Sequence, residues 1–185
     1  MKRRIKLALI VIVTIILISV AIGPSILRSG FESHNLEIMK SLKNPSTLEA
    51  IRNNMTQAYN FTELFEWEHS YVKWTDGYFS RSNDPVEILA NGKGRCGEFS
   101  SLYLSACLSL GYEARLLVSF RPYIYWELHN WVEVKVDEQW IPVDPTDKIW
   151  NNTSRYKTWW GEIGKDALIY AFENGKVEDV TDRYR

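Results

Sequence analysis

His129-Asn130-Trp131-Val132-Glu133-Val134-Lys135-Val136 and Trp140-Ile141-Pro142-Val143-Asp144 flank a short turn centred on Asp137-Glu138. The two runs are rich in Val, Ile and Trp and read as the strands of a β-hairpin. Pairing about that turn sets Trp131 opposite Asp144. His129 then shares the face of Asp144, diagonally about 7–8 Å away in backbone terms and within side-chain reach. A slip of one residue would send the two side chains to opposite faces. A His that opens one strand and an Asp that ends the next can work as base and orienter. The missing nucleophile is supplied upstream by Cys96, in Gly94-Arg95-Cys96-Gly97-Glu98-Phe99. Cys, His and Asp in this order suit thiol chemistry on amides, which needs a deprotonated sulfur and an oriented base.

Cys96 stands where a helical pattern begins: Phe99, Leu102, Tyr103, Ala106 and Leu110 fall on one face, and Gly111 is a helix stop. Unpaired N–H groups and the positive end of the helix dipole favour a thiolate at such a position and can also hold an oxyanion. Further upstream, Asn44-Pro45-Ser46-Thr47-Leu48-Glu49 and Asp84-Pro85-Val86-Glu87-Ile88-Leu89 are helix starts with a side-chain cap and Pro in the first turn. Phe61 to Trp74 is aromatic and helical at first. Downstream, Glu113 to Phe120 reads as a strand. Ala167 to Phe172 and Val177 to Val180 form a second hairpin around Asn174-Gly175. The composite is an α+β domain, with N-terminal helices packed on an antiparallel β-sheet.

Composition bounds the rest. Of 22 basic residues, Lys2, Arg3, Arg4, Lys6 and Arg28 lie in residues 1–30, which hold no acid. The remaining body sets 17 basic against 23 acidic groups, and this acidic balance argues against a nucleic-acid partner. Leu7 to Ile22 is apolar apart from Thr14 and Ser19 and follows a basic leader. The expected organisation is a cytoplasmic leader over residues 1–4, a transmembrane signal anchor over 5–22, a stalk of little structure over 23–34 and one domain over 35–185. The leader's charge places that domain outside the cell membrane. A cleaved signal peptide and a secreted domain are the alternative, since Ser19-Val20-Ala21 offers a small-residue cleavage pattern. Four Asn-x-Ser/Thr sequons, at Asn54, Asn60, Asn151 and Asn152, are compatible with an exported surface.

Two cysteines are too few for a disulfide scaffold, and on one helix Cys96 and Cys107 would stand roughly 16 Å apart. No Cys/His cluster has zinc spacing, and no cofactor is expected. Cys107, between Ala106 and Leu108, reads as a packed core residue, and His34 and His69 as surface or packing residues without a partner motif.

The three segments resemble the core of the transglutaminase-like superfamily. Gly94 to Phe99, together with Leu110-Gly111-Tyr112-Glu113-Ala114-Arg115, is especially similar to its peptide:N-glycanase branch, as are Ala167 to Phe172 and Val177 to Tyr184. The resemblance covers about residues 84–184. It implies a papain-like core with Cys96 as nucleophile, His129 as general base and acid, and Asp144 as orienter. It also implies Trp131, Glu133, Arg115 and Trp140 as contacts to glycan or peptide. The paired Cys-x-x-Cys zinc ligands of the glycanases are absent. The expected function is attack on an amide of a protein, peptide or glycopeptide through an acyl-enzyme. Peptide cleavage, protein cross-linking and a non-catalytic protein- or glycan-binding module are the alternatives.

Overall fold

The computed structural model describes residues 2–55, 59–77, 81–122, 126–157 and 161–185. Helix α1 (Lys2–Leu42) is followed by α2 (Pro45–Asn54) and α3 (Phe61–Tyr71), then the two-residue strand β1 (Lys73–Trp74). Next come α4 (Pro85–Asn91), the short strand β2 (Lys93–Gly94) and α5 (Cys96–Ser109). The remaining strands are β3 (Ala114–Arg121), β4 (Trp126–Val136), β5 (Gln139–Asp144), β6 (Ile149–Trp150), β7 (Leu168–Glu173) and β8 (Lys176–Asp179), with 3-10 turns at Thr153–Lys157 and Thr181–Tyr184.

Local sequence accounts for most boundaries. Asn44 and Asp84 cap α2 and α4 by accepting hydrogen bonds from the backbone N–H of Ser46 and Val86, each with Pro in the first turn. Asn60 caps α3 in a reciprocal box with Glu63. Asp137 and Glu138 both have positive φ, 48° and 61°, as the right-handed twist of a two-residue hairpin demands.

Residues 23–34 differ from the expected tether. They continue α1 without a break, Pro24 included. Helices are costly to start and cheap to extend, and α1 is held from the domain side. Phe31, Leu36, Ile38, Met39 and Leu42 pack into the core. Toward the N-terminus, apolar residues from Val11 to Leu27 remain 46–69% exposed. The helix is long and apolar enough to cross a membrane.

Six strands form one antiparallel sheet in the order β6-β5-β4-β3-β7-β8. On one face, Leu116, Val118, Phe120, Val132 and Val134 meet α5, whose residues Gly97 to Cys107 are all buried. The other face is covered as well: Leu117, Trp131, Ile169 and Ala171 pack with Tyr156, Ile163, Val180 and Tyr184 of the C-terminal segment. The domain therefore has three layers, one more than helices on a sheet.

A small parallel ladder positions the start of α5. β1 pairs with β2, Lys73 with Lys93 and Trp74 with Gly94. The Arg95 side chain then donates to the carbonyls of Thr75 and Asp76. Buried Glu98 accepts from the Arg95 N–H at 3.0 Å and from Arg81 at 2.8 and 3.2 Å. Gly94 is required by this closeness: a Cβ there would stand 2.8 Å from Glu98 Cβ and 3.2 Å from Val72 Cγ1. Gly94→Ala is expected to cost about 1–3 kcal/mol by overpacking. Thermal unfolding of the chain checks this. An unchanged midpoint would show that the ladder does not hold α5 in place.

Candidate active site

Cys96 occupies the first position of α5, partly exposed, with a free thiol. His129 comes from the middle layer, three residues into β4. It sits beside a bulge where Ser119 pairs with His129 and Phe120 with Glu127, leaving Leu128 as the extra residue. Bulges re-aim neighbouring side chains, and Ser119 Oγ donates to the His129 carbonyl at 3.2 Å. Asp144 ends β5, and the Val132–Val143 pairing brings it to the same face as His129. His129 Nε2 lies 2.8 Å from Asp144 Oδ2. The imidazole also shares a hydrogen bond with the Cys96 side chain. Cys96 and His129 open together onto a cavity of about 400 Å³, walled by Trp74, Leu128, Thr146 and Asp147.

Charge follows from these contacts. Burial opposes the imidazolium, but hydrogen bonds to Asp144 and Cys96 and their negative charge outweigh it, and the pKa of His129 is raised to about 9. Asp144 is fully buried and well supplied with donors. Its Oδ1 accepts from the Thr146 N–H at 3.1 Å, and Arg155 Nε stands 3.5 Å from Oδ2. Arg155 is braced in turn by an ion pair with Asp147. Burial, and then the Asp144 carboxylate, push the Tyr156 phenol far up, so it stays protonated and donates to Asp144. Glu68 is buried nearby without a side-chain partner, and burial raises it well above the usual carboxylate range. Burial thus favours its neutral form and weakens a second negative charge beside Asp144.

Three residues of this surround carried no sequence signal. His69, read as a surface or packing residue, holds the carbonyl of Pro145 with Nε2 at 2.8 Å, one residue beyond Asp144. Burial lowers its pKa, which suits a neutral ring donating one hydrogen bond. Arg155 and Tyr156 belong to the polar, aromatic segment after β6, where no periodicity marks them out.

The four expected contact residues are placed differently from the expectation. Trp131 does share the face of His129, with rings 5.9 Å apart and nearly parallel. The C-terminal layer covers that face, however, and Trp131 and Glu133 are 0% exposed and Arg115 3%. Glu133 accepts from Arg115 Nε at 2.8 Å, Arg183 Nη1 at 3.0 Å and Tyr184 Oη at 2.8 Å. Trp131 Nε1 donates to Tyr184 Oη at 3.0 Å. The Arg115 guanidinium lies over the half-buried ring of Trp140, 4.2 Å from its centre. Trp131, Glu133 and Arg115 thus bind the C-terminal segment to the sheet and do not line the cavities onto which Cys96 opens. The exposed aromatic rims of the cleft are Trp74 and Trp126, 49% and 68% exposed.

Comparison with known proteins gives the family. The family model of the transglutaminase-like superfamily matches residues 45–145. The chain belongs to the transglutaminase-like superfamily. Among curated relatives it is similar to the peptide-N(4)-(N-acetyl-beta-glucosaminyl)asparagine amidases of Oryza sativa subsp. japonica and Gallus gallus. It is 34% identical to the first over 103 residues and 33% identical to the second over 108. These matches cover 56% and 57% of the chain but only 22% and 15% of the relatives, so the chain spans about a fifth of their length or less. Among solved structures, the chain is similar in fold to that of Rad4-Rad23 crosslinked to an undamaged DNA. The TM-score is 0.63 at 12% identity, covering 88% of this chain and 48% of that one.

Two outcomes follow from the geometry. Because the folded pKa of His129 is raised, its charge contributes stability fully below the unfolded value of about 6.5, and this is lost as pH rises through about 9. Asp144→Asn should bring that pKa down, read from the His129 ring protons by NMR, and should slow alkylation of Cys96 at pH 7; an unmoved titration would uncouple the pair. Glu133→Ala takes from Arg115 its buried partner, leaving only the exposed Glu178, and should cost about 3 kcal/mol in denaturant unfolding. A loss confined to substrate affinity would restore Glu133 as a contact residue.

Proposed function

We propose that the chain is a membrane-anchored, extracytoplasmic thiol enzyme that cleaves amides through an acyl-enzyme at Cys96, with glycosylated Asn side chains as substrate. The observation that carries this reading is the buried His129, hydrogen-bonded to both Asp144 and the Cys96 side chain.

The steps follow from these groups. The Cys96 sulfur attacks the amide carbonyl carbon, and the resulting oxyanion lies where the first N–H groups of α5 can stabilise it. Collapse breaks the C–N bond, and the imidazolium of His129 gives its proton to the leaving amine. Neutral His129 then takes a proton from water as it attacks the thioester, which releases a carboxylate and restores the thiol. Asp144 keeps the ring in the tautomer that serves both steps. On a glycosylated Asn, the products are a glycosylamine and Asp.

The glycan part of the reading is supported by the two amidase relatives, which match 103 and 108 residues, a fraction of their own length. The anchor is supported by the exposed apolar stretch of α1 and by the basic leader. The Rad4 structure is a DNA complex, but the acidic body of this chain gives no basic footprint for such a partner.

Incubation of the full chain with an N-glycopeptide should release the sugar and convert Asn to Asp, a gain of about one mass unit, as amide hydrolysis requires. Cys96→Ala should abolish it. Turnover should fall as pH rises past about 9, where His129 loses its proton, while alkylation of Cys96 persists. Peptide-bond cleavage of aglycosyl peptides, or transfer to a Lys amine, would replace deglycosylation with the peptidase or cross-linking reading.

A further inference from the structure

Residues 7–27, between Lys6 and Arg28, are 21 in number and uncharged. As one helix they span about 31 Å, which matches a hydrocarbon core of about 30 Å. Ile26 and Leu27 are 64% and 46% exposed, so the apolar surface continues past Gly23 and Pro24 to Arg28. Packing into the domain begins almost at once. The Phe31 ring lies 4.5 Å from that of Phe120, and Phe31 is only three residues, about 4.5 Å of helix, beyond Arg28. A helix without a break leaves no slack between span and body.

The direction of α1 decides which end of the domain is low. Arg28 lies over Tyr170, 5.5 Å from the ring centre, and Phe31 meets Phe120 where β3 finishes. At its other end, Lys43 just beyond α1 bonds Asn174 in the β7–β8 turn. The low end is therefore where β3 ends and β4 begins, with Arg121 paired to Trp126. Cys96 opens at this same end, in a cavity of about 650 Å³ shared with Trp126, Glu127 and Leu128. An adjoining cavity of about 430 Å³, also bounded by Arg81 and Glu127, takes His34 and Ile38 of α1 as its wall. His34 is six residues above Arg28, about 9 Å, against a headgroup layer of roughly 5–7 Å.

We infer that this end of the domain rests on the bilayer that α1 spans, with Trp126 at headgroup level, so that the Cys96 cleft takes amides presented at the membrane surface. Exposed Trp126 beside exposed Arg121 is suited to that layer, where amphipathic rings and basic groups concentrate. The inference rests on the anchor reading above.

The test uses the full chain in phosphatidylcholine vesicles that contain a phospholipid with a diazirine in its headgroup. After illumination, peptides containing Trp126 should carry the lipid adduct, and those containing 137–139 or 174–176 should not. Inserting 11 helix-forming residues between Leu27 and Arg28 lifts the body by about 16 Å in nearly the same rotational phase, and the adduct at Trp126 should be lost. An alkaline wash separates the failures. If it strips the chain from vesicles, the anchor reading falls and takes this inference with it. If the chain stays but Trp126 is unlabelled, labelled no more than 174–176, or still labelled after the insertion, the inference alone is overturned.

Discussion

The contact between His129 and the buried Asp144 carboxylate is the constraint around which the rest is arranged. It requires one register of the β4–β5 hairpin, which the two positive-φ residues of the turn set. It also requires that a carboxylate survive burial. Thr146, Arg155 and Tyr156 surround Asp144 with donors, while burial disfavours charge on Glu68. His69 ties down the chain just past Asp144. With that end of the sheet immobilised, the position of Cys96 is settled from the other side, by the β1–β2 ladder and by Glu98 bonding the Arg95 N–H. Cys96 and His129 thus come from different layers, each held independently, and meet at the first turn of α5.

The C-terminal segment changes what the sheet can offer. On an open antiparallel sheet the alternation of β4 would expose His129, Trp131 and Glu133 together. Here Tyr156, Val180 and Tyr184 cover that face, and Glu133 becomes the acceptor that Arg115, Arg183 and Tyr184 share. Only His129, next to the bulge at the end of the strand, escapes the cover far enough to meet a thiol. The cleft is consequently left to Trp74, Trp126, Arg81 and Arg95, which come from the segments before α5 and the start of β4.

Helix α1 joins the two environments the chain occupies in the proposed reading. Its last three turns are core, its exposed apolar stretch is suited to lipid, and there is no break between them. A flexible stalk would let the cleft sample all orientations; a continuous helix permits few.

Much of this was readable from residues alone. The β4–β5 hairpin, the capped starts of α2 and α4, the helix beginning at Cys96, the Asn174-Gly175 turn and the apolar N-terminal run all depend on interactions within a few residues. Local chemistry determines those. The likeness of Cys96, His129 and Asp144 to a thiol relay was equally visible, since order and hairpin register are properties of the string. What only the tertiary structure decided involves partners far apart in sequence: His69 on Pro145, Arg155 and Tyr156 on Asp144, Arg183 and Tyr184 on Glu133, and α1 against β7. A period of two tells that Glu133 and His129 point the same way, but not whether water or another layer lies beyond them. Burial is set by what packs on a face, and no local pattern in β4 specifies the segment fifty residues later that covers it.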